Sequence, residues 1–171
     1  MRLSFIVFVI VFLVSCDDNQ PEAKPEVNWS KENSTDLNKE LAAQEKIDIK
    51  LYLDRKSTWE MKETGSGLHY WVYKKGQGPQ ALSGSIAQVS FNISLLDGTF
   101  CYNTNEDEIE EFRVDKSQVE TGVQEAIKLM REGDKAKLII PSHLAHGLTG
   151  DMNKIPPLTP IVVDIELYKV K

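Results

Sequence analysis

Basic residues are in deficit: 20 Lys and Arg stand against 26 Asp and Glu, a formal net charge of -6 at pH 7. That balance excludes a nucleic-acid-binding domain, which needs a basic stripe to meet phosphates. It fits a soluble domain kept off acidic surfaces. Cysteine is nearly missing, with two in the chain, too few for a disulfide framework. Of the three histidines, none pairs with another ligand at metal-like spacing, so neither a metal nor a cofactor is expected. The acidic run Glu106-Asp107-Glu108 with Glu110-Glu111 lacks the glycine and alternating ligands of a calcium loop, and reads as a solvated face. No Ser/His/Asp constellation, phosphate-cradling glycine loop or internal repeat occurs. At 171 residues the chain has room for one ordinary domain plus an appendage, not two full cores.

One long apolar run is present, at the start. Met1-Arg2 forms a positive n-region and Leu3 to Val14 an h-region too short to span a bilayer as a stable helix. The run ends Leu13-Val14-Ser15-Cys16, similar to a bacterial lipobox, in which the cysteine is acylated and becomes the new N-terminus. An uncleaved signal anchor and a plain signal peptide are the alternatives. Cys16 closes the h-region and a polar tail follows at once, which favours the lipoprotein. Two or three acyl chains give durable attachment, so the chain is expected to be anchored to a membrane without spanning it. Asp17-Asp18 resembles the inner-membrane retention signal of enterobacteria, a rule that differs between bacterial groups. The outer membrane, facing the periplasm, is the favoured site. With Cys16 given to lipid, Cys101 has no disulfide partner.

Residues 1–15 thus read as a lipoprotein signal and residues 16–35, with Pro21 and Pro25 among polar side chains, as a flexible tether. Residues 36–57 read as an amphipathic helix. Leu37, Leu41, Ile47, Leu51 and Tyr52 recur at helical intervals, Ile49 and Leu53 widen the stripe, and Ser34, Thr35 or Asp36 is the expected N-cap. Such a face packs on its own domain, on a twin helix in a dimer, or on a partner. Residues 58–171 hold the main domain. Trp59-Glu60-Met61-Lys62 and Leu68 to Tyr73, joined by Thr64-Gly65-Ser66-Gly67, predict a hairpin. Ile86 to Leu96 predicts a long strand closed by Asp97-Gly98, and Val123, Ile127 and Met130 predict one short helix. Ala136 to Ile140, a long glycine-bearing loop, and Ile161 to Tyr168 complete the pattern. A loop that long in a compact domain is usually functional. One short helix within a run of strands gives an α+β fold, an antiparallel twisted sheet wrapped over the helix and preceded by a helical extension.

Several segments, in order, resemble the FKBP-type peptidyl-prolyl isomerases over about residues 65–171. They are Tyr70 to Gly78, Val89 to Thr99, Gln118 to Met130, and Ser142-His143-Leu144-Ala145-His146-Gly147 followed by Ile155-Pro156-Pro157. The resemblance implies that fold and a reaction needing no nucleophile. The planar X–Pro amide must lose resonance against a barrier of about 18–20 kcal/mol. A dry pocket favours the less polar twisted amide, aromatic walls grip the proline ring, and a few donors hold neighbouring carbonyls.

Carried over position by position, the resemblance assigns Phe91, the Glu120 backbone N–H and His146 to the catalytic set. It assigns Cys101, Tyr102, Val119, Val123, Ile155 and Val163 to the substrate pocket. Phe91 stands where the family has Tyr, and Cys101-Tyr102 where it has Phe-Asp, so an acidic group is lost. Val123 replaces a pocket-floor Trp, leaving a deeper or refilled pocket, since an aromatic ring buries about 150–250 Å². His146 replaces a loop Tyr and still donates a hydrogen bond; Val163 replaces Phe. Plain core packing is the competing account of Phe91, Val123 and Val163, and for Cys101 a small buried apolar role is favoured over a reactive thiol.

The lipobox, tether and charged helix, with Trp59 to Tyr70 and the Pro-Ser-His-Leu-Ala-His-Gly loop, resemble the gliding-motility-associated FKBP-type lipoproteins. That resemblance implies an envelope enzyme acting on proline-containing envelope chains, gliding components among them. Two other readings stay open. One is a catalytically degenerate domain acting as chaperone or partner-binding module; the other is a structural lipoprotein that dimerises through residues 36–57.

Overall fold

The computed structural model describes residues 31–104 and 109–171. The signal segment, Cys16, the tether to residue 30 and acidic residues 106–108 lie outside the described residues.

The first element, α1, runs Lys31–Asp54, not 36–57 as the sequence pattern suggests. Residues 31–35, expected in the tether, are helical, and Ser34, Thr35 and Asp36 lie inside the helix instead of capping it. Thr35 Oγ1 donates 2.8 Å back to the Lys31 carbonyl, the local bond by which a threonine tolerates a helical position. The docked face also differs from the expected stripe. Ile49 and Tyr52 are buried, with Leu53 partly so. Leu37, Leu41, Ile47 and Leu51 remain exposed. Only the C-terminal half of α1 therefore seats its apolar side on the domain.

Seven strands form one antiparallel sheet among the described residues: β1 Lys62–Glu63, β2 His69–Lys74, β3 Ile86–Leu95, β4 Phe100–Asn103, β5 Glu110–Arg113, β6 Lys135–Ile140 and β7 Ile161–Val170. Their order is β1-β2-β6-β7-β3-β4. β5 pairs with the first half of β3 and β4 with its second half. The second helix, α2, spans Thr121–Lys128 between β5 and β6. The α+β architecture expected from the sequence is present.

The sheet is covered on both faces, and the sequence of β6 shows why. Side chains alternate across a strand, so Leu138 and Ile140 point one way and Ile139 the other. Leu138 and Ile140 join Val123, Ala126 and Ile127 of α2 and Ile161, Val163 and Ile165 of β7 in the main core. Ile139 joins Val162, Ile49 and Tyr52 in a second cluster, with Trp59, Met61 and Leu96 against it. An unbroken apolar run is the mark of a strand buried on both sides. Further along the outer face, cross-strand ion pairs replace apolar contact. Lys135 meets Glu166 at 2.7 Å, and Asp164 is shared by Lys137 at 2.5 Å and the Tyr73 hydroxyl at 2.8 Å.

The start of α2 needs a glycine. A Cβ at Gly122 would collide with the Ile140 Cγ2 methyl and come within 3.2 Å of the Leu144 carbonyl. This close approach sets the residues just before α2 beside the long loop after β6.

Candidate active site

A cleft of about 530 Å³ opens between β3, β4, the chain entering α2 and the β6–β7 loop. Val123 of α2 and Val163 of β7 line its depth, Phe91 of β3 and Tyr102 of β4 its wall, and Val119, Glu120 and His146 its rim. Seven of the sequence-expected residues therefore converge on one space from four elements and two loops. Val123 and Val163 also belong to the main core, so packing and lining are the same role here. A second cavity, of about 590 Å³, lies between α1 and the β1–β2 turn. It gathers none of the expected site residues, and the cleft is the candidate site.

Cys101 and Ile155 do not line the cleft. On β4, Cys101 and Tyr102 point to opposite sides; Tyr102 takes the cleft and Cys101 is fully buried. Burial is the main influence holding the Cys101 thiol above its usual pKa, with the Asp151 charge adding to it. This is the inert setting expected of a structural cysteine. Ile155 is likewise core; what it contributes locally is its backbone, whose N–H donates 2.8 Å to Asp151 Oδ1.

Asp151 is a cleft residue that the sequence reading missed. The Tyr102 hydroxyl donates to its Oδ2 in a short hydrogen bond, and the Asn153 N–H donates 2.9 Å to its Oδ1. Desolvation pushes its pKa up, but these donors, the Ile155 N–H and the nearby His146 outweigh it and hold the carboxyl at about 2. The bond to Asp151 is the leading cause of a raised Tyr102 pKa. A carboxylate thus still faces the cleft, from the loop instead of from β4. Its signal was Gly150-Asp151 within a polar loop, a turn pattern in which aspartate binds backbone amides two and four residues on. Val89, Ile93, Phe112 and Ile165 were missed too. Three of them sit two residues from a named site residue on the same strand face, so the period-two rule finds them.

The polar rim is arranged around His146. Its Nε2 lies 3.4 Å from Glu120 Oε1. No acceptor among the described residues takes the Glu120 backbone N–H, which leaves that donor for a bound carbonyl. The loop is tied at its neck by Leu158 N–H to the Gly147 carbonyl at 2.9 Å. An apolar hollow with a few fixed donors and no nucleophile suits a reaction that changes a conformation without breaking a bond.

Comparison with known proteins agrees with this geometry. Residues 78–168 match the family described as FKBP-type peptidyl-prolyl cis-trans isomerase. The probable FKBP-type isomerase FkpA of Neisseria meningitidis is 34% identical over 110 residues, 64% of this chain and 40% of that protein. The macrophage infectivity potentiator of Trypanosoma cruzi is 32% identical over 124 residues, 71% of this chain and 63% of that protein. The crystal structure of FkpA from Escherichia coli superposes with a TM-score of 0.67 at 30% identity, covering 81% of this chain and 64% of that one. A Pseudomonas syringae peptidyl-prolyl isomerase gives 0.65 at 29%, covering 75% and 94%. The chain spans less than two-thirds of the length of these curated relatives, 40% of the first.

Proposed function

The chain belongs to the FKBP-type peptidyl-prolyl cis-trans isomerase family, and from that premise we propose that it is a lipid-anchored envelope isomerase. It accelerates exchange about X–Pro bonds in envelope proteins. The observation that carries this is the cleft itself: an apolar hollow wide enough for a proline ring, with the Glu120 N–H at its rim taken by no acceptor among the described residues.

The proline ring seats against Phe91, Val123 and Val163. Removing the amide from water disfavours its polar planar form and so favours the twisted one, against a barrier of about 18–20 kcal/mol. The Glu120 N–H donates to a carbonyl flanking the proline and fixes the chain while the bond turns. His146, beside both Glu120 and Asp151, supplies a second donor at the loop. No proton leaves or arrives. The Cys16 lipobox supports membrane anchoring, and the similarity to gliding-motility lipoproteins supports motility and secretion components among the substrates.

The test is a cis-to-trans assay on a short proline peptide with the protein from residue 17 onward. Catalysis at micromolar enzyme is expected, and Val123→Arg, which fills the floor with a charge, should lower kcat/KM at least tenfold. A rate equal to the uncatalysed one would end the reading and leave the domain as a non-catalytic binding module.

A specific observation favours a second role. Leu37, Leu41 and Leu51 lie exposed along α1, spaced to share one helical side. A second copy of the chain, bringing the same stripe, would cover it. Sedimentation should then show a dimer that Leu37→Glu with Leu41→Glu converts to monomer; a monomer before the substitutions sinks this role.

A further inference from the structure

Helix α1 reaches the catalytic loop through one side chain. Glu45, in the middle of α1, accepts the Ser142 backbone N–H at 2.6 Å through Oε1 and the Ser142 hydroxyl at 2.5 Å through Oε2. These two residues are 97 positions apart in sequence. Ser142 opens the single 3-10 turn Ser142–Leu144 that follows β6, so its N–H has no partner within that turn and needs an outside acceptor. It is 4% exposed, and an unmet buried donor there would cost stability.

The Ser142 carbonyl faces the other way and accepts twice, from Ala145 N–H at 3.0 Å and from Gly147 N–H at 2.8 Å. Those two amides flank His146. The peptide of residue 142 is thus pinned on one side by α1, and it pins both neighbours of His146 on the other. His146 then stands 3.4 Å from Glu120. Buried Ile49 and Tyr52 follow Glu45 at four and seven residues along the same helical side, and they hold the helix where the carboxylate can reach.

We infer that Glu45 is a positioning residue for His146, so that the helix before the domain completes the active site from outside it. The inference rests on the isomerase reading for its kinetic arm only. Removing the carboxylate leaves the Ser142 amide unmet and lets the 142–147 turn relax, and His146 loses its fixed distance to the rim. Glutamine preserves two-point contact, with its carbonyl accepting the N–H and its amide donating to the Ser142 oxygen.

The kinetic experiment compares Glu45→Ala and Glu45→Gln in the full mature chain and in a His146→Ala background. Glu45→Ala should lower kcat/KM about tenfold in the first background and by less than twofold in the second. Glu45→Gln should retain at least half the rate, and Ser142→Ala, which removes one of the two bonds, should fall between. Equal losses in both backgrounds, or no loss in either, would overturn the inference.

Amide hydrogen exchange gives a readout independent of activity. Exchange at Ala145 and Gly147 should quicken at least tenfold in Glu45→Ala, with the β3–β7 amides unchanged as the control for global stability. Unchanged exchange at Ala145 and Gly147 overturns the proposal even in an active enzyme. A protein without isomerase activity that still shows the local quickening would end the isomerase reading and leave the positioning role standing.

Discussion

The Asp151 carboxylate accepts from three directions: the Tyr102 hydroxyl on β4 and the N–H groups of Asn153 and Ile155 in its own loop. It fastens the far end of the loop to the sheet, as Glu45 fastens the near end to α1. Its folded pKa of about 2 lies below the 3.8 of an unperturbed aspartate. A depressed carboxylate contributes stability that is fully present above the unfolded pKa and is lost as pH falls through the folded one. The window is therefore about pH 4 down to pH 2. Asp151→Asn should melt at a lower temperature than the parent at pH 6, and the gap should close as the pH is lowered to 2. A gap that stays constant over that range would show that the charge does not act through these bonds.

Among the elements, α2 depends on a narrow clearance at Gly122. Gly122→Ala adds a methyl against Ile140 and Leu144. Overpacking of that kind costs about 1–3 kcal/mol, read as a lower midpoint in urea. The shift of Glu120 that follows should also reduce kcat/KM. This clearance was not visible in the sequence, because a glycine two residues into a helical pattern reads equally well as a cap or a tolerated defect. What was visible followed simple periods. The alternation in Ile86 to Leu96 and Ile161 to Tyr168 gave β3 and β7 nearly to the residue. The spacing of Val123 and Ile127 gave α2, which ends at Lys128, short of Met130. β4 and β5, four residues each, are too short to show a period. On α1 the helical spacing was right, and Ile49, Tyr52 and Leu53 of the expected stripe do pack on the domain, while Leu37, Leu41, Ile47 and Leu51 stay exposed, because periodicity finds a stripe without saying what covers it. Cys101 was assigned to the pocket because it stands where the family has Phe, yet it faces the opposite side of β4 from Tyr102 and is core.

At the scale of the whole molecule, the proposed anchoring joins an acidic chain to the membrane at one residue, Cys16. With a net charge of -6 the domain has little attraction for an anionic bilayer surface, so the proposed membrane attachment would rest on acylation of Cys16. Among the described residues no helix is long and apolar enough to cross a membrane. Cys16→Ser should therefore move the protein from the membrane fraction to the soluble fraction, and labelled fatty acid should no longer be incorporated. A variant that stays on the membrane would point to an uncleaved anchor instead.

The two-sided burial of β6 has a bearing on how the chain survives before it is folded. Leu138-Ile139-Ile140 has high β-propensity and no charge, and until α1 and α2 are both seated it presents an adhesive strand on either face. Its borders are protected: Lys135 and Lys137 precede it and Pro141 ends it, the gatekeeper residues that interrupt pairing between unfolded chains. In the folded protein the same two lysines are absorbed into ion pairs with Glu166 and Asp164. A side chain that guards the newly made chain against its own kind thus becomes, once folded, a rivet of the sheet.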